Sequence, residues 1–139
     1  MAKEEGNRRM ATTLVAAVLQ GQTLTVAHVG DSRAYLFRGG VPDQLTKDHT
    51  LMQTLIDKGA LTASDTMGFN RKNVISRSIG GEAEVETDIS SFDVQPGDVV
   101  LLSSDGLHQY FEDIDELAQM IDPARSASET AQLLVDEAN

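Results

Sequence analysis

The sequence contains no cysteine among its 139 residues, and aromatic residues make up only 4% of it. Without cysteine the chain can form no disulfide bond and can use no thiol nucleophile. Its longest apolar runs are far too short to span a membrane, and no signal-peptide pattern opens it. Because 40% of the residues are still hydrophobic, these absences leave a single folded domain with a real core, which we expect in the cytoplasm.

Basic residues are nearly absent from the second half of the chain. Residues 79–139 contain one, Arg125, against fifteen Asp and Glu, whereas residues 1–78 contain ten Lys and Arg against seven Asp and Glu. The net charge of −11 disfavours contact with nucleic acid or an anionic membrane surface. It favours cations or basic protein segments as partners, although a solvated acidic surface that only keeps the protein soluble accounts for it equally well.

Alternating apolar residues and short glycine-containing turns predict an antiparallel β-meander in the first third of the chain. Pro42 places the last of its strands at a sheet edge or shortens it. The polar residues 1–10 show no periodicity, and we predict a disordered leader there, followed by the domain at residues 11–139. The four strands are predicted at residues 11–20, 23–29, 33–38 and 41–46.

The pattern changes character at residues 47–49. Thr50 can cap a short helix over residues 51–58, and Gly59 can close it. Residues 62–73 are rich in Ser, Thr, Asp, Gly and Asn, which predicts a mobile loop.

Two further strands and two helices complete the predicted fold. Residues 84–92 alternate like a half-exposed strand, and the continuous apolar run at residues 99–103 predicts a central strand covered on both faces. Helices are expected to begin at Asp113 and at Ser126, each with a glutamate three residues later. The predicted strands come first along the chain and the helices mostly after them, and this order predicts the α+β class.

Two aspartates directly follow apolar strands. Asp31 lies in a turn after residues 23–29, and Asp105 follows the apolar run at residues 99–102. Two such strands can bring both carboxylates to one edge of a sheet, where their oxygens can reach a metal ion. Each aspartate taken alone is more often a turn former that bonds to its own backbone.

Four short sequences surround these aspartates in order: VGDSRAY, LTKDH, NVISRSIG and PGDVVLLSSDGL. Together they closely resemble the metal-dependent protein phosphatases, the type 2C serine/threonine phosphatases, in their bacterial form. The resemblance covers about residues 12–139. It implies an antiparallel β-sandwich of the type 2C kind with flanking helices, and it identifies residues 47–73 as a flap-like insert beside the active site.

The resemblance also implies a chemistry. Such enzymes hydrolyse phosphoserine and phosphothreonine in proteins with a water activated by two Mn²⁺ or Mg²⁺ ions. By motif, Asp105 matches a ligand of the metal pair, and Asp31 matches an aspartate that helps hold a third, weaker ion. Phe69 and Arg71 are candidate flap contacts to the substrate, with local packing and a solvated charge as the alternative. His108 is expected to be a polar rim residue, because the sites of this family are rich in oxygen ligands.

Several motifs of the family have no counterpart in this sequence. They are the first metal aspartate, the phosphate-binding arginine, the Asp-Gly pair that bridges both metals, and the closing Asp-Asn pair. We therefore expect a truncated domain that binds Mn²⁺ or Mg²⁺ weakly and has little activity alone. The alternative is a non-catalytic binding or regulatory module with the phosphatase fold. Uncovered sheet edges predict a homo-oligomer or a strand-exchanged dimer.

Overall fold

A computed structural model describes residues 10–71 and 73–139, so the predicted leader at residues 1–10 lies almost wholly outside the described residues. In the described part, six strands form two antiparallel sheets of three strands each. The strands are β1 (Leu14–Gln20), β2 (Thr23–Val29), β3 (Arg33–Arg38), β4 (Val41–Gln44), β5 (Asp88–Asp93) and β6 (Val99–Ser103). The helices are α1 (Leu51–Asp57), a 3-10 helix (Ala63–Gly68), α2 (Asp105–Tyr110), α3 (Ile114–Met120) and α4 (Ala127–Ala138).

The first sheet has the order β1-β2-β5 and is built around the alternating strand β2. Leu24 and Val26 are buried on one face of β2, while Thr25 and Ala27 on the other face are only half-buried. Gln20 pairs with Thr23 across a two-residue turn, as the glycine at position 21 predicts.

The second sheet has the order β4-β3-β6, and its central strand β3 is buried over Ala34–Phe37. Pro42 lies in the edge strand β4, which confirms its predicted place. The prediction of a central β6 covered on both faces is wrong. In the described residues β6 is an edge strand, and Val100 and Leu102 are 38% and 41% exposed. A continuous apolar run shows what a strand can bury, whereas its neighbours decide what it does bury.

Two apolar clusters give the molecule three layers. One cluster joins the two sheets and contains Leu24 and Val26 of β2 with Ala34 of β3. The other packs the second sheet against the helices, with Tyr35 and Phe37 of β3 in contact with the apolar residues of α3 and α4. The order is therefore sheet, sheet, helices, and the α+β sandwich predicted from the sequence is confirmed.

Two segments differ from their predicted lengths because of their tertiary partners. The strand predicted at residues 84–92 is paired only from Asp88 onward, since His28, its partner there, is nearly the last residue of β2. The predicted loop at residues 62–73 contains the 3-10 helix. The short helix α2 is not predicted, since its six residues carry no helical apolar period.

Helix caps agree with the local sequence. The Thr50 hydroxyl accepts a hydrogen bond from the Gln53 N–H, so α1 begins where its cap predicts. Ser126 and Glu129 form a reciprocal capping box at the start of α4. Among the described residues, none of the helices combines the length and the apolar character that crossing a bilayer requires.

Candidate metal centre

The turn between β2 and β3 carries Asp31. Gly30 has φ +104°, and a Cβ at this position would collide with the side chain of Thr13. The hydroxyl oxygens of Thr13 and Ser32 are hydrogen-bonded at 2.8 Å. Asp31 lies between these two contacts in the chain and is only 7% exposed.

Asp105 is the first residue of α2, immediately after β6, and it is exposed. Gln109 lies one helical turn further along and donates a hydrogen bond from Nε2 to Asp105 Oδ2 at 2.9 Å. The tight strand-to-helix connection at Ser104 therefore fixes where this carboxylate stands relative to the sheet.

The pairing of β3 with β6 brings the two aspartates together. Arg33 pairs with Ser103 at the end of this ladder, so Asp31 and Asp105 leave the same end of the second sheet. Burial raises the pKa of Asp31, and the negative charge of Asp105 raises it further. The two carboxylates therefore lie close enough to repel each other.

A cleft of about 620 Å³ opens beside Asp31. The turn, the start of α1 and the far part of α2 contribute to its walls, and the flap-like insert supplies Thr66 and Asn73. Phe69, half-buried, and Arg71, exposed, come from the same insert but do not belong to the described residues that line this cleft. Their role as substrate contacts stays a prediction.

Asp48 also faces the cleft, but its charge is engaged by Arg33. Arg33 Nε and Nη2 bind the two carboxylate oxygens at 2.8 Å and 2.6 Å, and Nη1 donates to the Tyr35 hydroxyl at 3.3 Å. Burial lowers the pKa of the Arg33 guanidinium, but the hydrogen bonds to Asp48 and Tyr35 together with the negative charge of Asp48 outweigh it, so the pKa is raised. The carboxylate of Asp48 is therefore less available to a cation than that of Asp31.

His108 of α2 lines the same cleft. Burial lowers the pKa of His108, and the positive charge of Arg33 lowers it further. Its Nδ1 is buried and has no hydrogen-bond partner among the described residues. A neutral imidazole at this rim adds a polar group without adding charge.

The oxygen donors at this end of the sheet fit a hard divalent cation, with Asp31 lining the cleft and Asp105 outside the described residues that line it. A cation between two carboxylates relieves their electrostatic repulsion, and Mg²⁺ and Mn²⁺ prefer such oxygen ligands. Gln109 and Asn73 add amide groups nearby. Sequence reasoning missed both amides, although Asn73 begins the third short sequence above and Gln109 is one turn from Asp105.

The sequence of the chain is similar to those of known protein phosphatases. The family model for Protein phosphatase 2C matches residues 2–55. The serine/threonine phosphatase stp of Listeria innocua serovar 6a is 38% identical over 130 residues, which are 94% of this chain and 51% of that protein. The serine/threonine protein phosphatase PstP of Mycobacterium tuberculosis is 39% identical over 126 residues, which are 89% of this chain and 24% of that protein.

Solved structures show the same relationship. The S. agalactiae serine/threonine phosphatase superposes with a TM-score of 0.88 at 31% identity, covering 99% of this chain and 56% of that one. The catalytic domain of PstP in complex with two manganese ions has a TM-score of 0.75 at 35% identity, covering 92% of this chain and 52% of that one. The chain therefore belongs to the protein phosphatase 2C family. It spans about half the length of the stp relatives it matches.

Proposed function

We propose that the chain acts in the metal-dependent hydrolysis of phosphoserine and phosphothreonine in proteins, with Asp31 and Asp105 as ligands of a divalent cation. One observation carries the proposal: the β3–β6 pairing brings both carboxylates to one sheet end, where the charge of Asp105 raises the pKa of Asp31. Mn²⁺ is the first candidate, because a related phosphatase structure contains two manganese ions.

The residues of the chain divide the work between binding and orientation. Asp31 offers a nearly buried carboxylate, and Asp105 offers an exposed one that Gln109 orients. Arg33 neutralises Asp48, so this carboxylate does not add to the repulsion of an incoming phosphate, whereas Glu112 also lines the cleft. A bound divalent cation supplies an acidified water and screens the charge of the phosphoryl group.

The chain by itself is proposed to turn over phosphopeptides slowly or not at all. Its sequence contains one Asp-Gly pair, at Asp105, and no Asp-Asn pair. Two-metal hydrolysis needs carboxylates that bridge both ions about 3.5–4 Å apart. Positioning and charge stabilisation carry most of phosphoryl-transfer catalysis, so two ligands without a bridge leave a weak cation site and little chemistry.

The same ligand count favours a second candidate, a binding or regulatory module that uses the phosphatase fold without turnover. Both candidates take a phosphorylated protein as partner, and the net charge of −11 disfavours nucleic acid and anionic membranes for either. A phosphothreonine peptide and a small aryl phosphate, each incubated with the chain and Mn²⁺, separate the protein phosphatase from a general phosphohydrolase and from the module.

Calorimetric titration with Mn²⁺ tests the site itself. Asp105→Ala is expected to weaken binding by roughly tenfold or more, because a loosely held ion depends on few carboxylates. Asp136→Ala is the matched control, since Asp136 is also an exposed helical aspartate bound by a glutamine one turn away, at 2.7 Å from Gln132. Equal affinities of Asp105→Ala and the unmodified chain would contradict the proposed site.

A further inference from the structure

Behind the Asp31 turn lies a polar cluster of His28, His49, Arg77 and Asp88. The two histidines are 5% and 6% exposed, and their rings stack with centroids 4.6 Å apart and an interplanar angle of 19°. His28 Nε2 lies 2.8 Å from the Lys47 carbonyl oxygen. The proposed metal ligands Asp31 and Asp105 lie outside this cluster.

His49 binds both backbone groups of Gly30, the residue directly before Asp31. The backbone N–H of His49 donates a hydrogen bond to the Gly30 carbonyl oxygen at 2.9 Å. The backbone N–H of Gly30 donates to the ring atom Nδ1 of His49 at 3.0 Å. Since Nδ1 accepts, the neutral ring must carry its hydrogen on Nε2, and Nε2 lies 3.0 Å from Asp88 Oδ2. The tautomer thus follows from the pattern of hydrogen bonds.

Asp88 and Arg77 hold the imidazole in this orientation. Arg77 Nη1 donates to Asp88 Oδ1 at 2.8 Å, and the hydrogen bond from His49 lowers the pKa of the Asp88 carboxyl. Ligand atoms of His28, His49 and Asp88 lie within 4.8 Å of one another, as in some metal sites. However, Arg77 Nη1 stands 3.2 Å from His49 Nε2, so a guanidinium already supplies the positive charge there. The cluster is therefore an orienting network rather than a second metal site.

We propose that His49 is a positioning residue, which fixes the Asp31 carboxylate for its cation by holding Gly30 at both backbone groups. The opposite side of the turn is closed by Thr13, which contacts Gly30 and is hydrogen-bonded to Ser32. The inference rests on the proposed function, because it assigns Asp31 a cation. A ligand that is already oriented loses less conformational freedom on binding, which is how outer partners strengthen metal sites.

Two substitutions of His49 separate positioning from packing. In His49→Asn the amide oxygen takes the place of Nδ1, so it keeps an acceptor for the Gly30 N–H but does not reach Asp88. In His49→Gln the longer amide reaches the place of Nε2, so it keeps the contact with Asp88 but offers no acceptor to Gly30. Both variants lose the ring that stacks on His28, so they share the cost in packing.

Two readouts independent of turnover are measured on the full chain. The first is amide hydrogen exchange at Gly30 by NMR without metal, and the second is Mn²⁺ affinity by calorimetry. His49→Asn is expected to keep slow exchange and an Mn²⁺ affinity within about twofold of the unmodified chain. His49→Gln is expected to exchange faster at Gly30 and to bind Mn²⁺ roughly tenfold more weakly, as loss of an outer partner typically does.

The outcomes separate this proposal from the proposed function. If Asp105→Ala weakens Mn²⁺ binding but His49→Gln does not, the positioning role is overturned and the metal site stands. An equal loss of Mn²⁺ affinity in both His49 variants would contradict the positioning role and indicate that His49 acts only through packing. Failure of the unmodified chain to bind Mn²⁺ would overturn the proposed function and this inference together. If both variants are unfolded, the ¹⁵N chemical shifts of the His49 ring in the unmodified chain test the proposal. A hydrogen on Nδ1 would contradict it, because Nδ1 could then not accept the hydrogen bond from the Gly30 N–H.

Discussion

At the scale of single residues, the turn before β3 shows how a short sequence produces a site. Gly30 supplies a positive φ and a backbone without a Cβ, which lets Thr13 approach. Asp31 is thereby buried beside a second negative charge. Functional sites often retain such unfavourable arrangements, because the ligand relieves them.

Asp31→Asn is predicted to stabilise the metal-free protein at neutral pH while weakening Mn²⁺ binding. The pKa of Asp31 is raised in the fold, so the folded state binds its proton more tightly than the unfolded state does. Its contribution to stability is therefore complete at low pH and is lost as the pH rises through the folded pKa. Urea unfolding in the presence of a chelator, from pH 3 to 7, should show that the free energy of unfolding of the variant increases relative to that of the unmodified chain as the pH rises. A variant less stable at pH 7 would contradict this account.

At the scale of elements, an ion pair connects the end of β3 to the start of β6. Arg38 Nε and Nη2 bind the two oxygens of Asp98 at 2.9 Å and 2.6 Å, and Asp98 also accepts from the Gln95 N–H. The hydrogen bond from Arg38 lowers the pKa of Asp98 from its usual 3.8 to about 2. The turn that precedes β6 is thus attached to its partner strand.

Asp98→Asn is predicted to lower stability at neutral pH, with the difference disappearing as the pH falls toward 2. A carboxyl with a lowered folded pKa stabilises the fold above its unfolded pKa, and this stabilisation is lost as the pH falls through the folded value. The effect is expected to be small and to weaken in salt, because the Arg38 side chain of the pair is 46% exposed. Thermal unfolding at pH 7, 4 and 2 measures it, with Asp43→Asn, an exposed aspartate of β4, as control. A constant difference at all three pH values would rule out the ion pair as its cause.

The helix layer depends on a few fully buried side chains. Leu117 of α3 is 1% exposed and packs with Tyr35, Phe37 and Leu134. Leu117→Ala is predicted to cost about 2–5 kcal/mol in the free energy of unfolding, as truncations in packed cores do. Val135→Ala on α4, where the side chain is 53% exposed, should change it by less than about 0.5 kcal/mol. Similar costs in urea unfolding would show that the helices do not form one core with β3.

At the scale of the whole molecule, the outer face of the first sheet is largely apolar and exposed. Leu14 and Val18 of β1 are 50% and 57% exposed, and Ile89 of β5 is 66% exposed. The strand register places all three on one face, because Ala16 and Ile89 both pair with Ala27 of β2. Exposed faces and edges of this kind favour association with another chain.

The purified chain is therefore predicted to form a homo-oligomer or a strand-exchanged dimer through this sheet. Light scattering coupled to gel filtration measures the mass, and Val18→Lys is expected to shift the population toward monomer because a charge on the apolar face opposes its burial. Val41→Lys, in the edge strand β4 of the other sheet, is the control, since Val41 is 67% exposed but lies elsewhere. A compact monomer at high concentration would contradict this prediction.

The local sequence alone was sufficient for most strands and caps. Alternation along β2 and the turn glycine at position 21 describe the first hairpin, and the Ser126–Glu129 pair describes the start of α4, because each depends on neighbours only a few residues away. The four short sequences likewise indicate the family without reference to the fold. The residues that determine such features lie within the same short stretch of sequence as the features themselves.

Tertiary structure decided what depends on distant partners. The edge position of β6, the short pairing of β5 and the cleft beside Asp31 follow from which elements pack together. The contact of His49 with Gly30 belongs to the same group, since it joins residues 19 positions apart, with β3 and β4 between them. No hydrophobic period encodes such contacts, because they join segments that are distant in the sequence and meet only in the tertiary structure.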